Sequence, residues 1–285
     1  MAQRKAFDAA TVTHYSQAQR CIQDLLNADT EIDGTTRGWL MWQLAEYQQY
    51  TNAVEAQKTL KAALNYNRRL TRPLDGIEYE RLSARDMEQS RNAAWKVRSY
   101  GVSANKMLID VNAILEDLIF KPETSKPFEE AIREIAEVIG FNSQRPETEN
   151  SGGPDGLWAV GNLRYFVIEC KNGAVASKVS KDDANQLAGA INWFEQRYDN
   201  TCVRTPILVH PSYTAEFDAS PDPDIRVMTA EGLLGFKDAV RAYAKAASSK
   251  ASTIDAKEAL AILDHHRLTP DKFLQAFTKP IRSGR

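Results

Sequence analysis

Residues 156 to 170 read GLWAVGNLRYFVIEC, two strand-length apolar runs on either side of Gly161-Asn162. Runs this apolar belong in buried strands, and buried strands need other elements packed over them. The flanking sequence supplies those elements. PFEEAIREIAEVIG predicts a helix over about 127 to 139, ended by Gly140, with a polar loop from Asn142 to Gly153 leading into the hairpin. A helix near 181 to 198, strands at 206 to 210 and 224 to 229, and a helix near 231 to 246 follow. Helix, hairpin, helix, strand, strand, helix is an α/β order, which asks for a central sheet with helices against it.

Upstream, strand signals are nearly absent. Apolar positions recur at helical spacing in GWLMWQLAEYQQYTNAVEAQKTLKAALNYNRRL, with a break near Thr51-Asn52, so a helix pair is expected there. A first helix near 3 to 27 and a long one near 79 to 119 flank it. The proline-bounded stretch KPETSKP, Lys121 to Pro127, reads as a joint. The expected division is a helical domain over 1–122, an α/β domain over 127–248 and a helical tail over 249–285. In that tail, Thr269-Pro270-Asp271 marks a helix start.

A length of 285 residues suits two domains. The net charge of −2 gives no global attraction to polyanions, so a nucleic-acid partner has to be met by a local site. Three scattered cysteines, Cys21, Cys170 and Cys202, make no zinc pair and no disulfide framework. No apolar run approaches the roughly 18 residues of a membrane span, and residues 1 to 20 carry no signal-peptide core. The cytoplasm is the expected location.

Charges inside the hairpin then call for a reason. With the loop centred on Asn162, Asp155 falls opposite Glu169. Alternation places Asp155, Glu169 and Lys171 on one face, and Trp158, Val160, Phe166, Ile168 and Cys170 on the other. Opposed carboxylates, with Cβ atoms about 5 Å apart, repel in a poorly solvated site unless a cation lies between them. Hard oxygen donors at that spacing suit Mg2+ or Mn2+. Lys171 adds a positive charge able to stabilise a phosphate or to help deprotonate water.

Pro154-Asp155 followed by Glu169-Cys170-Lys171 resembles the PD-(D/E)XK motif of the restriction-endonuclease-like nucleases, in the branch of Mrr-type enzymes and Holliday-junction resolvases. The resemblance covers about 127 to 245. It implies an αβββαβ core and Mg2+-dependent hydrolysis of DNA phosphodiesters, in restriction, defence or repair. It also implies that Asp155, Glu169 and the backbone carbonyl of Cys170 bind metal, with Lys171 as the catalytic lysine. Relatives often add a glutamate from the preceding helix. Glu129 lies at the edge of the apolar face set by Phe128, Ile132, Ile135 and Ile139, whereas Glu130 points away, so Glu129 is the expected one. Gln186 matches a glutamine that relatives carry on the helix after the Glu-x-Lys strand, but Ala190 stands where one branch has tyrosine. Asn172, Lys178 and Lys181 are further candidates for phosphate contact.

The helical half resembles segments near the nuclease region of bacterial helicase-nuclease proteins and, loosely, a tetratricopeptide pair. A helicase or another protein is therefore an expected partner beside DNA. The chain carries no Walker loop of its own. The competing expectation is a catalytically silent nuclease-like fold acting as a DNA-binding or protein-interaction subunit. Arginines and lysines between Arg68 and Arg98, including Arg72, Arg85 and Lys96, give that stretch a positive balance that suits a phosphate backbone or a mixed-charge helix face. His265-His266 has no third ligand at metal spacing and reads as surface.

Overall fold

The computed structural model of the chain describes residues 2–28, 32–67, 69–70, 81–84, 88–101, 104–147, 152–217, 219 and 221–284. The chain forms two compact units, Met1–Glu80 and Arg81–Glu147 with Gly152–Arg285.

The first unit is helical: α1 (Ala2–Thr11), α2 (Tyr15–Ala28), α3 (Gly34–Gln48) and α4 (Ala53–Tyr66). One helix was expected over 3–27, but two are found. The β-branched run Thr11-Val12-Thr13 weakens helix, and Thr13 turns the chain with φ +62°. The α3–α4 pair follows the apolar spacing, and Asn52 caps α4 by accepting from the Glu55 N–H at 3.0 Å. Ala6, Ile22, Leu40, Leu44 and Tyr47 form the shared core of α1, α2 and α3.

The second unit opens with α5 (Gln89–Ser99), α6 (Ala104–Asp117) and α7 (Ser125–Val138). It continues with β1 (Asn142–Gln144), β2 (Gly156–Gly161), β3 (Arg164–Cys170), α8 (Lys181–Arg197), β4 (Val203–Val209) and β5 (Arg226–Met228). Helices α9 (Ala230–Ser248), α10 (Ala256–His265) and α11 (Pro270–Phe277), with the short strand β6 (Lys279–Pro280), complete it. The strands make one mixed α/β sheet in the order β1-β2-β3-β4-β5-β6. β1, β2 and β3 are antiparallel, β3, β4 and β5 run parallel, and β6 returns antiparallel. The α8 crossover allows the parallel β3–β4 pair.

Between β2 and β3, Leu157 faces Val167 and Trp158 faces Phe166, the register read from the sequence. Asn162 and Leu163 sit at φ +54° and +56°, as a two-residue primed turn requires. Trp158, Val160, Phe166, Ile168 and Cys170 enter one large apolar layer with α5, α6, α7, α9, α10 and α11. On the opposite face, Leu187 and Ile191 of α8 pack on Leu208 and Val227.

Several expectations are corrected here. The long helix over 79–119 is two helices, α5 and α6, and both pack in the sheet-bearing unit rather than with residues 1–80. Their apolar stripes, Ala93, Val97, Met107, Val111 and Leu115, are buried against α7 and the sheet, so a boundary near 122 would cut through a core. Residues 249–285 are not an appended tail either. Phe273 and Phe277 are buried in that core, and β6 extends the sheet. The polar loop 142–153 begins with a strand, β1, whose polar residues suit an edge. Gly140 ends α7 at φ +88°, where a Cβ would lie 2.2 Å from the carbonyl oxygen of Gln89, so only glycine lets α5 approach this closely. No helix among the described residues is long and apolar enough to cross a membrane.

Candidate metal centre

Asp155 stands one residue before β2, where Gly153 at φ +123° delivers the chain to the sheet. A Cβ on Gly153 would meet the Trp193 ring at 2.8 Å, so this approach needs glycine. The β2–β3 register, continued one step past Gly156↔Ile168, sets Asp155 against Glu169. Both residues are 7% exposed. Asp155 Oδ2 accepts from the backbone N–H of Cys170 at 2.7 Å, which fixes the side chain against β3.

Three carboxylates converge at this point. Oxygens of Glu129 on α7, Glu147 and Asp155 lie within 4.8 Å of one another. Glu147 follows β1, and its backbone N–H donates to the Pro154 carbonyl at 3.3 Å, folding that segment back beside Asp155. Glu169 is not one of the three. Its Oε1 accepts from Lys171 Nζ at 3.0 Å, with side chains 10% and 18% exposed.

The electrostatics follow from dry burial of like charges. Burial first, then the Glu169 charge and a hydrogen bond with Glu147, push the Asp155 carboxyl up to about 8, against the pull of the Cys170 N–H. Glu169 is also raised: burial outweighs the adjacent Lys171, and the charges of Glu147 and Glu129 add to it. Burial works against the charge on Lys171, yet Glu169, Asp155 and Asp183 together hold its amine above its ordinary value. Lys171 is therefore a cation at neutral pH, placed to stabilise negative charge rather than to take a proton. Burial, with the acids around it, drives the Cys170 thiol far up and leaves it inert.

The remaining expected residues fall as follows. Glu129 is buried and joins the cluster, while its neighbour Glu130 is ion-paired to Arg133 and Arg145. Gln186 is exposed on α8, one turn beyond Asp183, and its side chain makes no hydrogen bond among the described residues. Asn172 is corrected: it is 1% exposed, and its amide donates to the Ile119 carbonyl at 3.3 Å and to Thr124 at 3.0 Å, so it ties the α6–α7 connection and is closed to phosphate. Lys178 and Lys181 are exposed. In the basic stretch, Arg91 pairs with Glu88, Lys96 with Glu137, and Arg98 donates to the Ile254 carbonyl. Arg68, Arg72 and Arg85 lie outside the described residues.

Sequence reasoning missed Glu147, Arg145 and His210. Glu147 and Arg145 sit in a polar segment with no periodicity to mark them. His210 follows β4 beside the end of β3, fully buried; its Nδ1 accepts from the Ser212 N–H at 2.9 Å, and burial pushes its pKa down. The carboxylates of Glu129, Glu147 and Asp155, of which only Glu147 is exposed, lie close enough to hold a cation, and without one their charges oppose each other. No family model, curated protein or solved structure matches the chain.

Proposed function

We propose that this chain is a metal-dependent nuclease of the PD-(D/E)XK type acting on DNA phosphodiester bonds. The observation that carries the reading is the burial of Asp155, Glu169 and Glu129, with the exposed Glu147 closing on them from the rim, beside a lysine held in its charged form. Such a group is unfavourable in a resting protein and favourable around a cation. The element order α7, β1, β2, β3, α8, β4, with three antiparallel strands and a parallel crossover, supports the αβββαβ core that the motif implies.

Asp155, Glu147, Glu129 and Glu169 would supply the acidic donors for Mg2+ or Mn2+, with the Cys170 carbonyl as a further oxygen. The ion, when bound, supplies positive charge to a phosphoryl oxygen and acidifies the attacking water. The Cys170 N–H holds Asp155 in place through one of its two oxygens. Glu169 steers Lys171, whose ammonium stabilises charge growing on the scissile phosphate. Restriction, defence and repair are the settings this activity suits, and a helicase or other protein is the partner the helical unit suits.

The test is cleavage of linear, nicked, branched and single-stranded DNA by the purified chain in Mg2+ or Mn2+, beside a Lys171→Ala control. Metal-dependent cutting lost in the control is expected. Equal, background-level cutting by both sinks the reading.

A further inference from the structure

Three short segments, after β3, after β4 and after β6, lie side by side over the α8 side of the sheet. The Val179 N–H donates to the Thr214 carbonyl at 2.8 Å, and the Glu216 N–H to the Val179 carbonyl at 2.9 Å. The Arg282 N–H donates to the Tyr213 carbonyl and the Ala215 N–H to the Arg282 carbonyl, both at 2.8 Å. These bonds pair Val179 with Ala215 and Thr214 with Arg282 in parallel. Continuing the first pairing back by one residue sets Lys178 opposite Thr214. Lys178, Thr214 and Arg282 therefore form one row across the three segments.

Alternation settles which way the row faces. Val179 and Ala215, one step along, are fully buried against Leu187 and Ile191 of α8, whereas Lys178 and Arg282 are exposed. Lys181, the first residue of α8, adds a third exposed cation three positions after Lys178. Among the described residues no carboxylate pairs with any of the three. Other exposed cations of this unit are held by acids, as Lys250 is by Glu258 and Lys272 by Asp264. Arg282 instead lies over the Tyr213 ring, 5.2 Å from its centroid, which restrains the guanidinium and leaves its charge unspent.

The row starts close to the acidic centre. Asp183, two residues after Lys181, acts on the charge of Lys171. From there the row runs outward over two strand spacings, about 10 Å, or about three nucleotide steps along one strand of a duplex. Glu216 and Asp182 lie beside it in the chain, so it is a narrow strip matched to a few phosphates of one strand.

Resting on the nuclease reading above, we infer that Lys178, Lys181 and Arg282 are its backbone grip: they bind the phosphates that flank the one held at the metal centre. The chain's net charge of −2 attracts no polyanion by itself, so such a strip has to supply the attraction locally.

The test is the salt dependence of duplex DNA binding by the full chain, by fluorescence anisotropy in Ca2+, with cleavage kinetics in Mg2+ beside it. Each neutralised phosphate contributes about 0.9 to the slope of log affinity against log salt. Lys178→Gln and Arg282→Gln are each expected to flatten the slope by about 0.9, and the triple variant with Lys181→Gln by about 2.7. Arg282→Lys is expected to keep the slope, as is Lys106→Gln, which removes an exposed cation on α6. In Mg2+ the triple variant should lose about tenfold in kcat/KM and keep its kcat at saturating DNA. An unchanged slope in the triple variant, or an equal loss in Lys106→Gln, overturns the inference alone. A wild type that neither binds nor cuts DNA removes the nuclease reading and this inference with it.

Discussion

The Cys170 backbone N–H donates to Asp155 Oδ2 at 2.7 Å, tying the start of β2 to the end of β3 through one buried carboxyl. Because that carboxyl is raised to about 8, it enters the folded protein protonated and becomes a strained anion only as pH climbs. A raised acid contributes its stability below the unfolded value of 3.8 and loses it on the way up through about 8.

Metal-free wild type should therefore weaken between pH 5 and pH 8 more than Asp155→Asn, whose amide still accepts from Cys170 and can donate to Glu147. At pH 8 the variant should be more stable by on the order of a few kcal/mol. Urea melts in EDTA at the two pH values check this. An identical pH dependence in both proteins would remove the buried proton from the account.

Divalent metal should reverse that weakness. At a hundredfold excess over its Kd, Mg2+ or Mn2+ should stabilise the wild type by about 2.7 kcal/mol at pH 8 and leave Asp155→Asn nearly unmoved. Because binding must expel the Asp155 proton, affinity should fall close to tenfold for each pH unit below 8. Thermal melts with chelator, with metal, and with chelator restored read both effects.

Lys171 and Glu169 should behave as a unit. Lys171→Met leaves a buried carboxylate without its cation and should cost about 3 kcal/mol at pH 8. Adding Glu169→Gln should recover most of that loss, while DNA cleavage stays down by about 100-fold or more in both variants. Denaturation and cleavage rates measured on the single and double variants separate the structural role from the chemical one.

Phe273 makes ring contacts with Trp158, Phe166, Phe236 and Phe277, and is fully buried. Phe273→Ala should destabilise the sheet-bearing unit by about 3–5 kcal/mol. A loss below 1 kcal/mol, read from the unfolding of that unit, would place residues 249–285 outside the core after all.

The hairpin was the most legible part of the chain because three independent patterns coincide there. Alternation set the faces, Gly161-Asn162 set the turn, and together they set the register that pairs Leu157 with Val167. Glu129 was legible from helix periodicity, since it lies at the edge of a clear apolar stripe. Glu147 and Arg145 were not: they follow a three-residue edge strand whose polar side chains carry no period, and only the fold brings them to Asp155. Asn172 misled for the opposite reason. Next to a lysine in a short polar stretch, it reads as solvated, yet its amide fills a buried gap under α6 and α7. The unit boundary was missed because α5 and α6 look, by periodicity alone, like the helices of the first unit; what they pack against is a tertiary fact.

Phe273 and Phe277 lie more than 100 positions after Asp155, yet they complete the layer behind the strands that present the acids. During synthesis, a chain whose α11 is still inside the ribosome lacks that backing. The layer behind the acids is complete only when α11 has emerged and packed, so the acidic cluster takes its final form among the last parts of the fold.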